Sequence, residues 1–397
     1  AKDLSPSFMT SGLQKHFEDP SLVVESVDSL ENVEMGSSII TELTARKVDK
    51  FVGLAPQRLT YRSANNPDNS GTLDVISKVK PLDKEVILMV NSMAAMCSPA
   101  LREAHERFKD RTGAAGCHVR ELELYNQTDP RITRHMPAIY NTYQDDSREA
   151  YVVVMEKLND VILKDTADDT TGWRPEHINA ALEGIAKVHS VWYGRTETLV
   201  KEPWMGTVPD TTSMIEMSHL WEHLGVHASE EFPEWMTDRD LELHRRLVRR
   251  IFKWWHEIEL MPKTLIHNDF NPRNICLRKS TDPEDTFGYR LCAYDWELAT
   301  VHLPQHDLAE FLSFVLHPNV SKNVVDHHVE VHRKALQKAS RYAIDPEEWR
   351  RGYNLALYDL AVNRFMLYIM AHTFRHYPFM ERVTRTLRHL LRLESGR

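Results

Sequence analysis

The sequence predicts an α+β protein of two lobes, a small β-rich one first and a large, mainly helical one after it. Three observations carry this. Short β-branched runs such as Ala150-Tyr151-Val152-Val153-Val154-Met155 lie before residue 160. Beyond it, apolar residues recur at helical spacing, as in Ile178, Ala181, Leu182, Ile185 and Val188. From Leu303 onward nearly every segment reads as helix. The lobes are set at residues 1–157 and 158–397, within one functional unit.

In order along the chain, residues 33–40 read as a strand, a tight turn at Gly36-Ser37-Ser38 and a second strand. Leu73–Val79 alternates enough to be a strand and is stopped by Pro81. Two helices are expected next, Glu85 to about Lys109 and Gly116 to about Asn126, followed by the buried strand at 150–155. A helix is then expected over Glu176–Tyr193. Residues 195–235, rich in Pro, Trp, Met and Thr, read as an insertion of irregular or short helical structure. Leu241–Glu259 reads as one strong helix, ended by Met261-Pro262.

The 397 residues are 42% apolar and 27% charged, ordinary values that argue against long disorder. The 49 Lys and Arg against 58 Asp and Glu give a net charge of −9, which lends no support to nucleic-acid binding. No apolar run approaches the length of a membrane span, and the first residues lack a signal-peptide core. Cys97, Cys117, Cys276 and Cys292 are scattered, which predicts reduced thiols in a cytoplasmic protein. The chain starts at Ala1, and both removal of an initiator Met and excision from a longer polypeptide account for that. The histidines lack zinc-site spacing, so no zinc is assigned.

The most informative segment is Thr264-Leu265-Ile266-His267-Asn268-Asp269-Phe270-Asn271-Pro272-Arg273-Asn274-Ile275-Cys276-Leu277, a polar loop between two apolar strands. A further apolar run, Leu291-Cys292-Ala293-Tyr294, ends in Asp295-Trp296-Glu297. Phosphoryl transfer needs a carboxylate to orient and deprotonate the attacking hydroxyl, and oxygen ligands to hold Mg²⁺ against the phosphates. Asp269, Asn274 and Asp295 supply that set. As a bare pattern, the same residues could be turn formers in a polar hairpin.

His-x-Asp-x-x-x-x-Asn followed by an apolar strand and Asp-Trp-Glu resembles the aminoglycoside phosphotransferase and choline kinase-like family, relatives of the protein kinases. His306-Asp307-Leu308-Ala309 resembles the family's next element. The resemblance implies a bilobal protein-kinase-like fold, with a nucleotide-binding first lobe and a catalytic, acceptor-binding second lobe. It implies Asp269 as catalytic base, His267 as the support of its loop, and Asn274 and Asp295 as metal ligands.

In the first lobe, the resemblance makes Lys78 the phosphate-contacting lysine, with Lys80 as competitor. Strand parity and the apolar run favour Lys78. Glu121, in Arg120-Glu121, fits as the lysine's partner better than Glu123. Met155, Glu156 and Leu158 fall at the interlobe hinge, where the backbone of 156–158 would bind adenine. Gly36-Ser37-Ser38 would cover the phosphates; the Walker-A signature is absent.

Asn268, Asn271 and Arg273 depart from common family usage, with Asn268 where Gly is usual and Arg273 where a small residue is common, on the loop that faces the acceptor. The implied activity is ATP- and Mg-dependent phosphorylation of a hydroxyl on a small molecule such as an antibiotic, natural product or metabolite. The alternative is a pseudokinase-type scaffold without turnover. A protein kinase is disfavoured, because no Ala-Pro-Glu element or activation segment of usual length follows Asp295. The acidic Asp165, Asp168 and Asp169 and the basic face of Arg245, Arg246, Arg249, Arg250 and Lys253 read best as solvated surface. Trp221, Trp235, Trp254 and Trp255 read best as core.

Overall fold

A computed structural model describes residues 4–30 and 51–395. The strand–turn–strand expected at 33–40, with Gly36, Ser37 and Ser38, lies outside the described residues.

Helix α1 (Pro6–His16) starts with proline in its first turn and with the Ser5 hydroxyl accepting from the Phe8 amide. Strands β1 (Leu22–Ser29), β2 (Gly53–Ser63) and β3 (Gly71–Val79) follow. Helices α2 (Asp83–Cys97), α3 (Pro99–Phe108), α4 (Cys117–Tyr125) and the one-turn α5 (Pro130–Thr133) separate them from β4 (Ile139–Asp145) and β5 (Ala150–Glu156). The five strands form one antiparallel sheet in the order β1-β2-β3-β5-β4.

The central position of β3 decides what its side chains face. Val75, Val152 and Val154 pack against Met9 and Leu13 of α1. On the other side, Ile76, Val153 and Met155 join a core that includes Leu101 and Leu122. Lys78 pairs in register with Val153, so it projects to this second side, away from α1.

Two expected helices and the expected insertion differ from their sequence reading. The stretch from Glu85 to Lys109 is α2 and α3, broken at Ser98, which is extended (φ −162°, ψ 156°) and caps the Leu101 amide at 3.1 Å. Pro99, which has no N–H, starts the new helix. Leu241–Glu259 is likewise two helices, α9 (Asp238–Arg249) and α10 (Ile251–Leu260), meeting at Arg250. The segment 195–235 holds a short α7 (Thr211–Glu216) and a full helix α8 (Ser218–Glu231), more order than its composition suggested.

Helix α6 (Pro175–His189) crosses the small hairpin of β7 (Ile275–Lys279) and β8 (Tyr289–Ala293). At Gly184 a Cβ would stand 2.4 Å from the Leu291 Cβ, so glycine lets helix and strand touch. Strands β6 (Thr264–Ile266) and β9 (Thr300–His302) form a second two-stranded pair. Helices α11 (Gln305–Val315), α12 (Lys322–Ser340), α13 (Pro346–Val362), α14 (Arg364–Phe374) and α15 (Met380–Ser395) complete the helical part. Trp221, Trp235, Trp254 and Trp255 are buried in the main core, as expected. Among the described residues no helix is long and apolar enough to cross a membrane.

Candidate active site

The loop between β6 and β7 is held from below by Asp307, near the start of α11. Its buried carboxylate accepts from the amides of His267 (2.8 Å) and Asn268 (2.9 Å) and contacts His189 Nε2 at 2.9 Å. Burial works to raise the Asp307 pKa, but the hydrogen bond and charge of His189 outweigh it and hold the group ionised. His267 is buried, its Nε2 2.9 Å from the Tyr294 carbonyl and its ring against Trp296, a supporting position. Asn268 adopts φ +62°, a left-handed conformation that Asn tolerates, and its amide donates to the Leu298 carbonyl at 2.8 Å. Its departure from glycine is thus accommodated by backbone contacts.

This frame presents Asp269. Asn271 donates to its Oδ1 at 2.9 Å, Asn274 to its Oδ2 at 2.7 Å, and the Tyr368 hydroxyl of α14 bonds Oδ1. Tyr368 also reaches Glu310 of α11 at 2.9 Å. Burial and the nearby negative charge of Asp269 push Glu310 up to about 7. Asp269 lies on the wall of a cavity of about 140 Å³ bounded by α2, α14 and the loop itself.

Opposite the loop lies a buried charge network. Lys78 Nζ is 2.9 Å from Glu121 of α4 and 2.6 Å from Asp295. Lys80, fully buried, pairs with Glu121 and with Glu297. Parity could not separate the two lysines: two residues apart on an extended chain, they share a face. Burial lowers the Lys78 pKa, but Asp295 and Glu121 more than compensate and hold it charged. For Asp295 the same balance holds in mirror image: burial raises it, and Lys78 and Lys80 bring it below the usual carboxylate range. Arg120, also buried, ties α4 to the turn after Asp295 by donating to the Glu297 carbonyl at 2.8 Å.

The residues expected to hold a metal fit a divalent cation. Two ammonium groups face three carboxylates in this network, and Glu297 is shifted upward, by burial and then by the charge of Asp295. Negative charge is therefore in surplus. Asn274 spends its amide nitrogen on Asp269, which leaves its carbonyl oxygen as a hard ligand, and the Asp295 carboxylate supplies another. Asp295 itself sits at φ +64°.

At the hinge the expectation narrows. The Glu156 amide donates to the Ala138 carbonyl and the Lys157 amide to that of Asp74. Of the three amides, Leu158 alone remains for a ligand among the described residues. The Glu156 side chain receives the Ala138 amide and pairs with Arg278, while Met155 is buried in β5.

Sequence reasoning missed Glu297, Glu310 and Tyr368 as members of the site. Glu297 was in view, two residues past Asp295. Glu310 follows Asp307 by three residues on one helical face, a readable spacing. Tyr368 carries no local signal, because α14 brings it in from 99 residues beyond Asp269.

A family model described as the phosphotransferase enzyme family matches residues 107–333, more than half of the chain. No curated protein sequence matches it. Among solved structures, choline kinase LicA from Streptococcus pneumoniae is similar at 14% identity, covering 98% of both chains with a TM-score of 0.42. Plasmodium vivax ethanolamine kinase matches at 13% identity over 86% of this chain and 80% of that one, TM-score 0.42. An aminoglycoside-3'-phosphotransferase of type VIII matches at 14% identity over 88% and 98%, TM-score 0.39. The family match spans Glu121, the loop at 267–274 and Asp295, and by it the chain belongs to the phosphotransferase enzyme family.

Proposed function

We propose that the protein transfers the γ-phosphoryl group of ATP, with Mg²⁺, to an alcohol hydroxyl. The observation that supports this most is Asp269, fixed by Asn271, Asn274 and Tyr368 on the wall of a cavity. An acceptor hydroxyl in that cavity gives its proton to Asp269 as its oxygen bonds the γ-phosphorus. The bond from phosphorus to the β–γ bridging oxygen breaks, and ADP leaves with the electron pair. Lys78, oriented by Glu121, offers a compact cation to the phosphates. Asn274 and Asp295 would hold Mg²⁺, which supplies charge neutralisation on the phosphate oxygens. Leu158 offers the hinge amide to adenine. Four free cysteines, three of them buried, suit a reducing cytoplasmic location.

The test is ADP release from Mg-ATP across a panel of hydroxylated small molecules, with Asp269→Asn as the blank. Acceptor-dependent release by the native protein alone is expected. Mg-ATP binding without turnover of any acceptor would favour a scaffold, and equal activity in the variant would remove Asp269 from the chemistry.

A further inference from the structure

We infer that the acceptor is an uncharged alcohol with a compact apolar body, and that amine-bearing alcohols are poor substrates; this rests on the phosphotransferase reading above. The cavity that reaches Asp269 is walled on one side by Val86, Met89, Val90 and Met93 of α2, and on another by Leu367 and Met370 of α14. Methionine in such number gives a wall that adapts to an apolar shape. The polar side chains in the lining, Asp269 with Asn271, Asn274 and Tyr368 around it, are where a hydroxyl would be held.

A cationic acceptor would need an available carboxylate or aromatic face. Two carboxylates line the cavity, Asp269 and Glu297. Glu297 is paired with Lys80, and Asp269 is reserved for the hydroxyl. Of the three aromatic rings in the wall, Phe314 packs against Phe365 and Phe379, and the other two already carry an arginine. Arg273 lies over Phe379 at 5.9 Å and over Tyr377 at 5.5 Å, and Arg364 lies over Tyr368 at 5.9 Å. Both arginines line the cavity and balance its two carboxylates, so the wall offers an ammonium group no surplus of negative charge.

Size sets the other bound. A cavity of about 140 Å³ compares with the roughly 150 Å³ apolar cavity that accepts benzene. The buried part of the acceptor is therefore close to one six-membered ring, with the hydroxyl on a short arm.

The experiment compares 2-phenylethanol and cyclohexylmethanol with choline, ethanolamine and kanamycin as acceptors for the native protein, by ADP release at saturating Mg-ATP. The ring alcohols are expected to exceed the amines in kcat/KM by at least about tenfold, a preference of the size that apolar pocket contacts supply. Ala371→Phe, which fills the cavity, should raise KM for 2-phenylethanol about tenfold; if that variant does not fold, the selectivity ratio of the native protein stands as the test. Preference for the amines, or ATP hydrolysis that no ring alcohol stimulates, overturns the inference and leaves phosphoryl transfer standing. Failure to bind Mg-ATP, or an Asp269→Asn variant as active as the native protein, overturns the phosphotransferase reading instead.

Discussion

The Tyr368 hydroxyl lies 2.9 Å from the Glu310 carboxylate while it also bonds Asp269. One hydroxyl proton cannot serve two ionised carboxylates, and Glu310, raised to about 7 by burial and by Asp269, is the one that holds a proton of its own. Its folded pKa is above the unfolded one, so its contribution to stability is full below about 4.5 and is lost as pH rises through about 7. Glu310→Gln should abolish that dependence. The difference in unfolding free energy between native protein and variant should change by ~3 kcal/mol from pH 4 to pH 8, because each tenfold change in proton affinity is worth about 1.4 kcal/mol. Buried histidines such as His135 and His302, whose lowered pKa works in the opposite direction, cancel in that difference. Urea unfolding at several pH values measures it; a flat difference refutes the assignment.

The two lysines should separate by phenotype. Lys78→Met removes a cation that we place on the phosphates, and turnover should fall about 10²–10³-fold. Lys80→Met leaves buried Glu297 without its partner and should destabilise the fold by about 3 kcal/mol. Kinetics and denaturant midpoints on the same pair of variants decide it. Equal loss of stability in both would make Lys78 structural.

Chelation should stop acceptor phosphorylation, and Mg²⁺ should restore it. Asp295→Asn keeps the side chain's shape but gives up its charge, so the Mg²⁺ concentration for half-maximal rate should rise at least about tenfold. An unchanged Mg²⁺ requirement would move the metal away from Asp295.

Gly184→Ala tests how closely α6 rides on β8. Overpacking against Leu291 costs about 1–3 kcal/mol, and the better helix propensity of alanine returns at most about 1. A net loss is expected in the urea midpoint, with turnover per folded molecule unchanged. A stabilised variant would mean that the helix moves aside freely.

The loop of the candidate site was legible because its pattern is local: His267 to Asn274 is one short run between apolar strands, and Asp295 ends the next. Lys78 was legible through β3, and Glu121 through its helix. Strand β4 was not, because its residues are half-buried on both faces, apart from exposed Gln144, and so show no alternation. The break at Ser98-Pro99 was readable from proline chemistry but was overridden by the apolar rhythm across it. Glu310 and Tyr368 enter the site from separate helices, and no pattern within either segment announces where it will pack.

Asn268 and Asp295 share a left-handed backbone, at φ +62° and φ +64°. For most residues that conformation costs roughly 1–2 kcal/mol, whereas Asn and Asp visit it readily. At Asn268 the turn admits glycine as well, whereas replacement of Asp295 meets both the turn and the charge network with Lys78. Lys78 and Asp269 are not among the positive-φ residues, so no left-handed turn restrains a change there. If Lys78 and Asp269 act as proposed, the backbone leaves loss of activity with retention of the fold an open route at both. At position 295 it has a narrow one, asparagine, which holds the turn while giving up the charge.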